Sequence, residues 1–291
     1  MRIAIFGNTY RAANLQHINL LLQYCDNASN VLLFEHELYE YMLQNGVCCS
    51  SNVAVIGNDD FVADIALSIG GDGTFLNTAA RVGKKLIPIL GINTGRLGFL
   101  AALSGNEIEV ALQMMLDANY DIEERSLIKV ELSDGLTLEY PYALNDVAIL
   151  KQDSASMIGI NTSLNGIAVH TYQADGLIVA TPTGSTAYSL SVGGPLLVPE
   201  TSNILLSPVA SHSLNVRPLV IPETWVVDLE VNARTQNFQL SVDGRTMVLS
   251  DKVKVRISKA SFNVRVVRPK NSSFFDTLKM KLMWGVDKRS N

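Results

Sequence analysis

Short apolar runs alternate with helix-spaced ones through the first part of the chain. Arg2-Ile-Ala-Ile-Phe6 is a continuous apolar run closed by Gly7-Asn8, the pattern of a buried strand. Leu15, Ile18, Leu21 and Leu22 then recur at helical spacing. Residues 31–45, with Leu33, Leu38, Tyr41 and Leu43, predict a strand end running into a helix. Asp64 to Ile69 predicts a second strand and Leu86 to Leu90 a third. Residues 106–117 carry Ile108, Val110, Ala111, Met114 and Met115 and predict an amphipathic helix. Strands alternating with helices imply parallel βαβ units.

After about residue 125 the period changes. Ser133-Asp134-Gly135 and Asn165-Gly166 sit between short β-rich runs and read as hairpin turns. Further runs at 176–180, 226–231, 237–243, 253–257 and 262–267 predict a mostly antiparallel β domain, and Phe274 to Leu282 a closing helix. The expected organisation is therefore an α/β domain with a parallel sheet over 1–125 and a β-rich domain over 126–269, followed by a tail over 270–291. The boundary rests on the change of period, since no repeat, low-complexity tract or linker marks it.

Length agrees: 291 residues correspond to about two domains. Apolar residues make up 47% and charged residues 18%, enough to build a core and to exclude disorder as the dominant state. The formal net charge of −5 lacks the basic footprint of a nucleic-acid binder, so an anionic ligand must be met by local cations and backbone N–H groups. Three cysteines (Cys25, Cys48, Cys49) and four scattered histidines form neither a disulfide framework nor a zinc site, and suit a reducing cytoplasm. The apolar run Ile3 to Phe6 is too short for a signal h-region. Gly176 to Pro199 lacks charge, but its Thr, Ser, Gly and Pro content reads as buried backbone around a site and not as a membrane span.

The sharpest chemical signal is Gly70-Gly71-Asp72-Gly73-Thr74, placed after an apolar strand and before the helical run Phe75 to Val82. Three glycines let the backbone turn tightly and approach a ligand, and the N–H groups ahead of the helix suit phosphate. Asp72 would repel that phosphate unless it holds a hydroxyl or a metal. The competing account is a plain strand–turn–helix capped by Asp72. The motif is neither a Walker A loop nor a Rossmann fingerprint, because no Gly-Lys-Ser/Thr follows and Leu76 stands where the third glycine would be.

The second signal is Asp175-Gly-Leu-Ile-Val-Ala-Thr-Pro-Thr-Gly-Ser-Thr-Ala-Tyr188. A buried strand runs into a turn dense in hydroxyls (Thr181, Thr183, Ser185, Thr186), with a helix starting at Ala187-Tyr188. Small residues and hydroxyls can line a polar ligand, and Tyr188 can stack on a flat ring; the competing account makes Ser185 a helix cap. Asn145-Asp146 offers amide donors and carboxylate acceptors for a ribose diol, or simply caps a turn. Gly91-Ile-Asn-Thr-Gly-Arg-Leu-Gly-Phe99 follows the third strand, where open α/β sheets place ligands. There Phe99 could pack on a base and Arg96 could pair with phosphate, against core packing and solvent exposure as the ordinary roles.

Together these motifs resemble the NAD kinase family. Gly70 to Thr74 is similar to the family's first signature, Asn145-Asp146 to its second, and Asp175 to Pro195 to its long third. Weaker similarities are Gly91-Ile-Asn93 with Leu97-Gly98-Phe99, the segment His212 to Val220, and Ser273 to Leu278. They follow the family's order over nearly the whole chain. The resemblance implies ATP-dependent phosphorylation of the 2′-hydroxyl on the adenosine ribose of NAD, with Mg²⁺ or another divalent cation, and no nucleic acid or membrane as partner. It further implies a cytoplasmic homodimer or homotetramer, and a tail, Phe274 to Trp284, packed back on the first domain. It casts Asp72 as base or orienter; Gly70, Gly71, Gly73, Thr74 and Arg96 as phosphate and ATP contacts; and no protein residue as metal ligand. Asp72, Gly73, Phe99, Asn145, Asp146, Asp175, Thr186, Ala187, Tyr188 and Ser191 become NAD contacts. Two departures stand out: many members have Glu where Asp146 sits, which shortens the reach by one methylene, and Gln173-Ala174 lies in a variable stretch.

Two other classes compete. A lipid kinase shares the Gly-Gly-Asp-Gly turn but needs an apolar entry surface for acyl chains. A dinucleotide sensor would keep the pocket without turnover, yet it has no need of a carboxylate beside the transferring phosphate.

Overall fold

The structure is a computed structural model and describes residues 1–9, 13–25, 29–47, 52–95, 98–101, 103–133, 135–153 and 156–285. Arg96, Leu97, Cys48, Cys49 and Asp134, which figure in the sequence reading, lie outside the described residues. The chain divides into two compact units, Met1–Glu124 with Val264–Asn291, and Arg125–Asn263.

The first unit is a βα alternation: β1 (Arg2–Gly7), α1 (Ala13–Cys25), β2 (Val31–Glu35), α2 (His36–Gln44), β3 (Val53–Ile56), β4 (Ile65–Gly70), α3 (Asp72–Val82), β5 (Ile89–Asn93), β6 (Leu103–Ser104) and α4 (Ile108–Leu116). Its sheet runs β5-β4-β1-β2-β3, and every neighbouring pair is parallel. β1, β4 and β5 are apolar along their length because both faces of a parallel sheet are covered. Ile3, Ile5, Ile65, Leu67, Leu90 and Ile92 pack with Ile18, Leu21, Leu38, Leu112 and Met115 from the helices.

Two strand readings need correction. β5 starts at Ile89 and not at Leu86, because Leu86 has φ 57° and Pro88 has no N–H to give to a ladder. β3 is not predicted by the apolar pattern: it is a short edge strand with Ala54 and Val55 exposed, so it carries little periodic signal.

β7 (Tyr120–Leu132) leads into the second unit. There follow β8 (Tyr142–Ala143), β9 (Asp146–Lys151), β10 (Ile158–Leu164), β11 (Ile167–Ala174), β12 (Gly176–Ala180), the one-turn helix α5 (Tyr188–Ser191), β13 (Asn203–Val209), β14 (Leu219–Pro222), β15 (Val227–Asn232), β16 (Asn237–Val242) and β17 (Arg245–Ser250). One antiparallel sheet has the order β14-β13-β12-β9-β16-β17. β10, β11 and β15 form another with the start of β18 (Val255–Pro269). Asn165 and Gly166 turn the β10–β11 hairpin with φ 50° and 78°, the left-handed pair that the Asn-Gly signal demands. The runs expected at 253–257 and 262–267 are joined in one strand, because Ser258 to Ser261 include no Gly, Pro, Asn or Asp to turn the chain and remain extended. β18 re-enters the first unit, where Val266 lies beside Ile89, and α6 (Phe274–Leu282) follows, capped by the reciprocal Ser273–Asp276 box.

Candidate functional site

In the first unit, β4 is buried throughout and ends at Gly70, so the glycine-rich turn opens at the carboxyl edge of a parallel sheet. Gly70 is there for space: a Cβ would stand 2.2 Å from Thr74 Oγ1. Gly70, Gly71, Gly73 and Thr74 line a cavity of about 240 Å³ together with Asn8, Thr94 and Gly95. The free N–H groups at the α3 N-terminus make such a hollow suited to an anion.

Asp72 is not the helix cap. Gly71 occupies that position without any side-chain capping bond. The Asp72 carboxylate reaches instead to the loop after β5, where Oδ2 accepts the Phe99 N–H at 2.8 Å and Oδ1 the Leu100 N–H at 3.2 Å. Gly98 makes this possible, since a Cβ there would fall 1.8 Å from Asp72 Oδ1. Phe99 is half-buried, and its ring carries Lys281 Nζ from α6 at 4.5 Å from the centroid. Among the described residues no group of three His, Cys, Asp or Glu side chains is placed to hold a metal.

In the second unit, Asp146 opens β9 beside Ala180 at the end of β12, and Asn145 precedes it. The two are held from an unexpected direction. Asp243, at the β16–β17 turn with φ 48°, accepts the N–H groups of Leu144, Asn145 and Asp146 at 2.7, 2.9 and 3.1 Å. It returns its own N–H to Asp146 O at 3.0 Å. A single carboxylate thus fixes the backbone of the whole pair. Burial pushes both carboxyls up: Asp146 to about 7, with the Asp243 charge adding to the burial effect and the Tyr188 N–H opposing it. Asp243 is raised by burial while its three N–H donors pull the other way.

The hydroxyl-rich turn is held by its own side chains. Thr181, Thr183 and Ser185 are buried, and their hydroxyls are engaged by the protein itself. Thr181 donates to Leu144 O at 2.5 Å and accepts the Gly184 N–H; Thr183 accepts from buried Arg125 at 3.1 Å; Ser185 accepts the Leu197 N–H at 3.0 Å and donates to Pro182 O. Ser185 therefore pins the turn and caps no helix. The turn is seated on Asn145, with Thr181 N donating to Asn145 O at 2.9 Å. Gly184 lies so close that a Cβ would be 1.9 Å from that same oxygen. Thr186 and Ala187 are partly exposed, Ser191 is exposed, and Tyr188 is 40% exposed. Asp175 pairs with Lys151 at 2.7 Å.

Two family models cover most of the chain. The ATP-NAD kinase N-terminal domain matches residues 18–120, and the ATP-NAD kinase C-terminal domain residues 144–269. The chain belongs to the NAD kinase family. An NAD kinase of Bacteroides fragilis is 46% identical over 289 residues, 99% of this chain and 100% of that protein. One from Porphyromonas gingivalis is 41% identical, covering 98% of each. Among solved structures, yeast NADH kinase complexed with NADH has the same fold, with a TM-score of 0.92 at 21% identity over 100% of this chain and 89% of that one. An NAD kinase from Archaeoglobus fulgidus in complex with ATP gives a TM-score of 0.74 at 25% identity over 97% and 99%.

As an NAD kinase, the chain is a phosphotransferase of α/β plus β-rich architecture. Its motifs were legible in sequence, but three of the side chains that hold them were not. Asp243 lies 99 residues from Leu144, and its Asp-Gly dipeptide signals only a hairpin. Arg125 and Lys281 carry no local signal at all.

Proposed function

We propose that the enzyme transfers the γ-phosphoryl group of ATP to the 2′-hydroxyl of the adenosine ribose of NAD, giving NADP and ADP. The observation that carries the reading is the Asp72 carboxylate, anchored by two backbone N–H groups at the mouth of the glycine-rich turn and free of any capping duty. Phosphoryl transfer asks mainly for positioning and charge neutralisation. In this reading Asp72 accepts the proton of the attacking hydroxyl. The N–H groups of Gly70, Gly71, Gly73 and Thr74 cradle phosphate, with Arg96 as a further contact. Asn145 and Asp146 hold the ribose, and Phe99, Asp175, Thr186, Ala187, Tyr188 and Ser191 complete the dinucleotide contacts. The divalent cation, Mg²⁺ or another, is carried in by the triphosphate, whose charge it neutralises; Mg²⁺ keeps most of its waters and needs few protein ligands. A cytoplasmic homodimer or homotetramer belongs to the same reading. Incubation with NAD, ATP and Mg²⁺, followed by an NADP-specific coupled assay, tests it. Absence of NADP from a protein that still binds NAD would replace it with a sensor.

Tyr188 is open to a ring because its neighbours bury Ser189 and not the phenol. Tyr188→Ala is expected to raise the KM for NAD about fivefold, the equivalent of ~1 kcal/mol of aromatic stacking, and to leave the KM for ATP unchanged. An unchanged NAD KM would remove Tyr188 from the site.

Asp146 sets a pH dependence. Its folded pKa of about 7 lies above the ordinary carboxylate value, so the folded protein retains this proton where the unfolded chain has lost it. Its contribution to stability is therefore lost as pH rises through 7. A carboxylate that accepts ribose hydroxyls works in the opposite direction. NAD should bind about tenfold tighter at pH 8 than at pH 6, as the ionised share rises. Titration calorimetry at the two pH values checks this, and Asp146→Asn should flatten the difference.

A further inference from the structure

We propose that Lys281, delivered by the C-terminal helix, is a positioning residue for Asp72: its ammonium offsets the carboxylate's charge so that donor phosphates can approach the glycine-rich turn. The inference rests on the reading of Asp72 given above. Lys281 belongs to the same unit as the turn. Its Nζ is buried and makes no hydrogen bond, a costly state for an ammonium unless an electrostatic role maintains it. It sits over the ring of Phe99, and the Phe99 N–H is itself bound to Asp72. Among the described residues, the charges of Asp72 from α3 and Arg268 from β18 act on it, and the Phe99 ring from the loop after β5 lies under it. Arg268 is itself paired with Glu123 at 3.0 Å, and the carboxylate whose charge acts on Lys281 is Asp72. Burial lowers the Lys281 pKa to about 8; the Asp72 charge opposes that shift and Arg268 adds to it.

The arrangement answers a difficulty inherent in the motif. A bare carboxylate among phosphate-binding N–H groups repels the ligand that those groups attract. A buried cation that acts on its charge without lining the glycine-turn hollow offsets the repulsion and leaves the Asp72 oxygens available to a hydroxyl. The cation–π contact with Phe99 holds the amine in place while leaving its charge unneutralised by any hydrogen-bonded anion.

The test is the pH profile of kcat for wild type, Lys281→Met and Lys281→Arg. Methionine keeps the apolar stem and removes the charge; arginine keeps the charge at every accessible pH. Wild type should lose kcat on the alkaline side with an apparent pKa near 8. Lys281→Met should be slower by about ten- to hundredfold, with a raised KM for ATP, an unchanged KM for NAD and no alkaline limb. Lys281→Arg should recover most of kcat and also lack the limb. A Lys281→Met enzyme within twofold of wild type, or one that keeps the limb, overturns the proposal. A second measurement does not depend on turnover. The ¹³Cε resonance of Lys281, assigned by its loss in Lys281→Met, should titrate at lower pH in Asp72→Asn than in wild type. No shift there overturns the coupling even if the enzyme is active. An inactive wild type with the shift present would instead overturn the catalytic reading of Asp72.

Discussion

Asp72→Asn is expected to lower kcat by about 10²–10⁴-fold, the usual worth of general-base assistance, with the KM for NAD little changed. The geometry refines the expectation. Both carboxylate oxygens accept backbone N–H groups, from Phe99 and Leu100. An asparagine can satisfy only one of them and presents its NH₂ to the other, which costs about 1–3 kcal/mol locally. A modest fall in melting temperature should accompany the kinetic loss. Were Asp72 a helix cap, asparagine would serve nearly as well and kcat would stay near wild type. Steady-state kinetics and a thermal melt on the same preparation separate the two, and near-normal kcat in a folded variant would sink the catalytic assignment.

Gly184→Ala should do comparable damage by a different route. The added Cβ would meet Asn145 O at 1.9 Å, Asn145 C at 2.4 Å and Asn145 Cα at 2.8 Å. All three are backbone atoms, on a segment that the Asp243 carboxylate holds by three hydrogen bonds, so neither side can yield cheaply. Overpacking of this kind costs roughly 1–3 kcal/mol and sometimes more. The turn must lift off Asn145, which breaks the Thr181 N–H bond to Asn145 O and moves Thr186 to Tyr188 away from their places. The expected result is a melting temperature several degrees lower and NAD binding weakened at least about tenfold. Gly57→Ala is the control: it has open space around it and should change neither. Wild-type NAD affinity in Gly184→Ala would show that the turn and the Asn145–Asp146 pair work independently.

The parts of this protein that could be read early are those whose cause is local. The Gly70–Thr74 turn lies within one strand–turn–helix, the Asn165-Gly166 hairpin is specified by the left-handed φ of two residues, and α6 announces its start with Ser273 and Asp276. The buried strand at 176–180 is a contiguous apolar run, and its bounds are visible in the sequence for that reason. Local pattern and long-range pairing disagree elsewhere: β5 is displaced by the missing N–H of Pro88, β3 is an edge, and Val255–Pro269 is a single strand.

The roles of side chains follow the same division. That an aspartate stands among glycines after a buried strand, and that small and hydroxyl residues crowd the segment before Tyr188, follows from sequence alone; it is the resemblance of these motifs to the NAD kinase signatures that implies a phosphotransferase acting on a dinucleotide. Only the tertiary structure decided that the Asp72 carboxylate turns away from its helix to Phe99 and Leu100, and that Thr181, Thr183 and Ser185 tie their turn to Leu144, Arg125 and Leu197. It also decided that Asp243 anchors Asn145 and Asp146, and that Lys281 is buried on Phe99. The physical reason is the range of the interactions. Turn chemistry and hydrophobic period act over a few residues, whereas a carboxylate selects whichever N–H groups the folded chain brings within about 3 Å, and residues distant in sequence leave no trace of that choice in their neighbours.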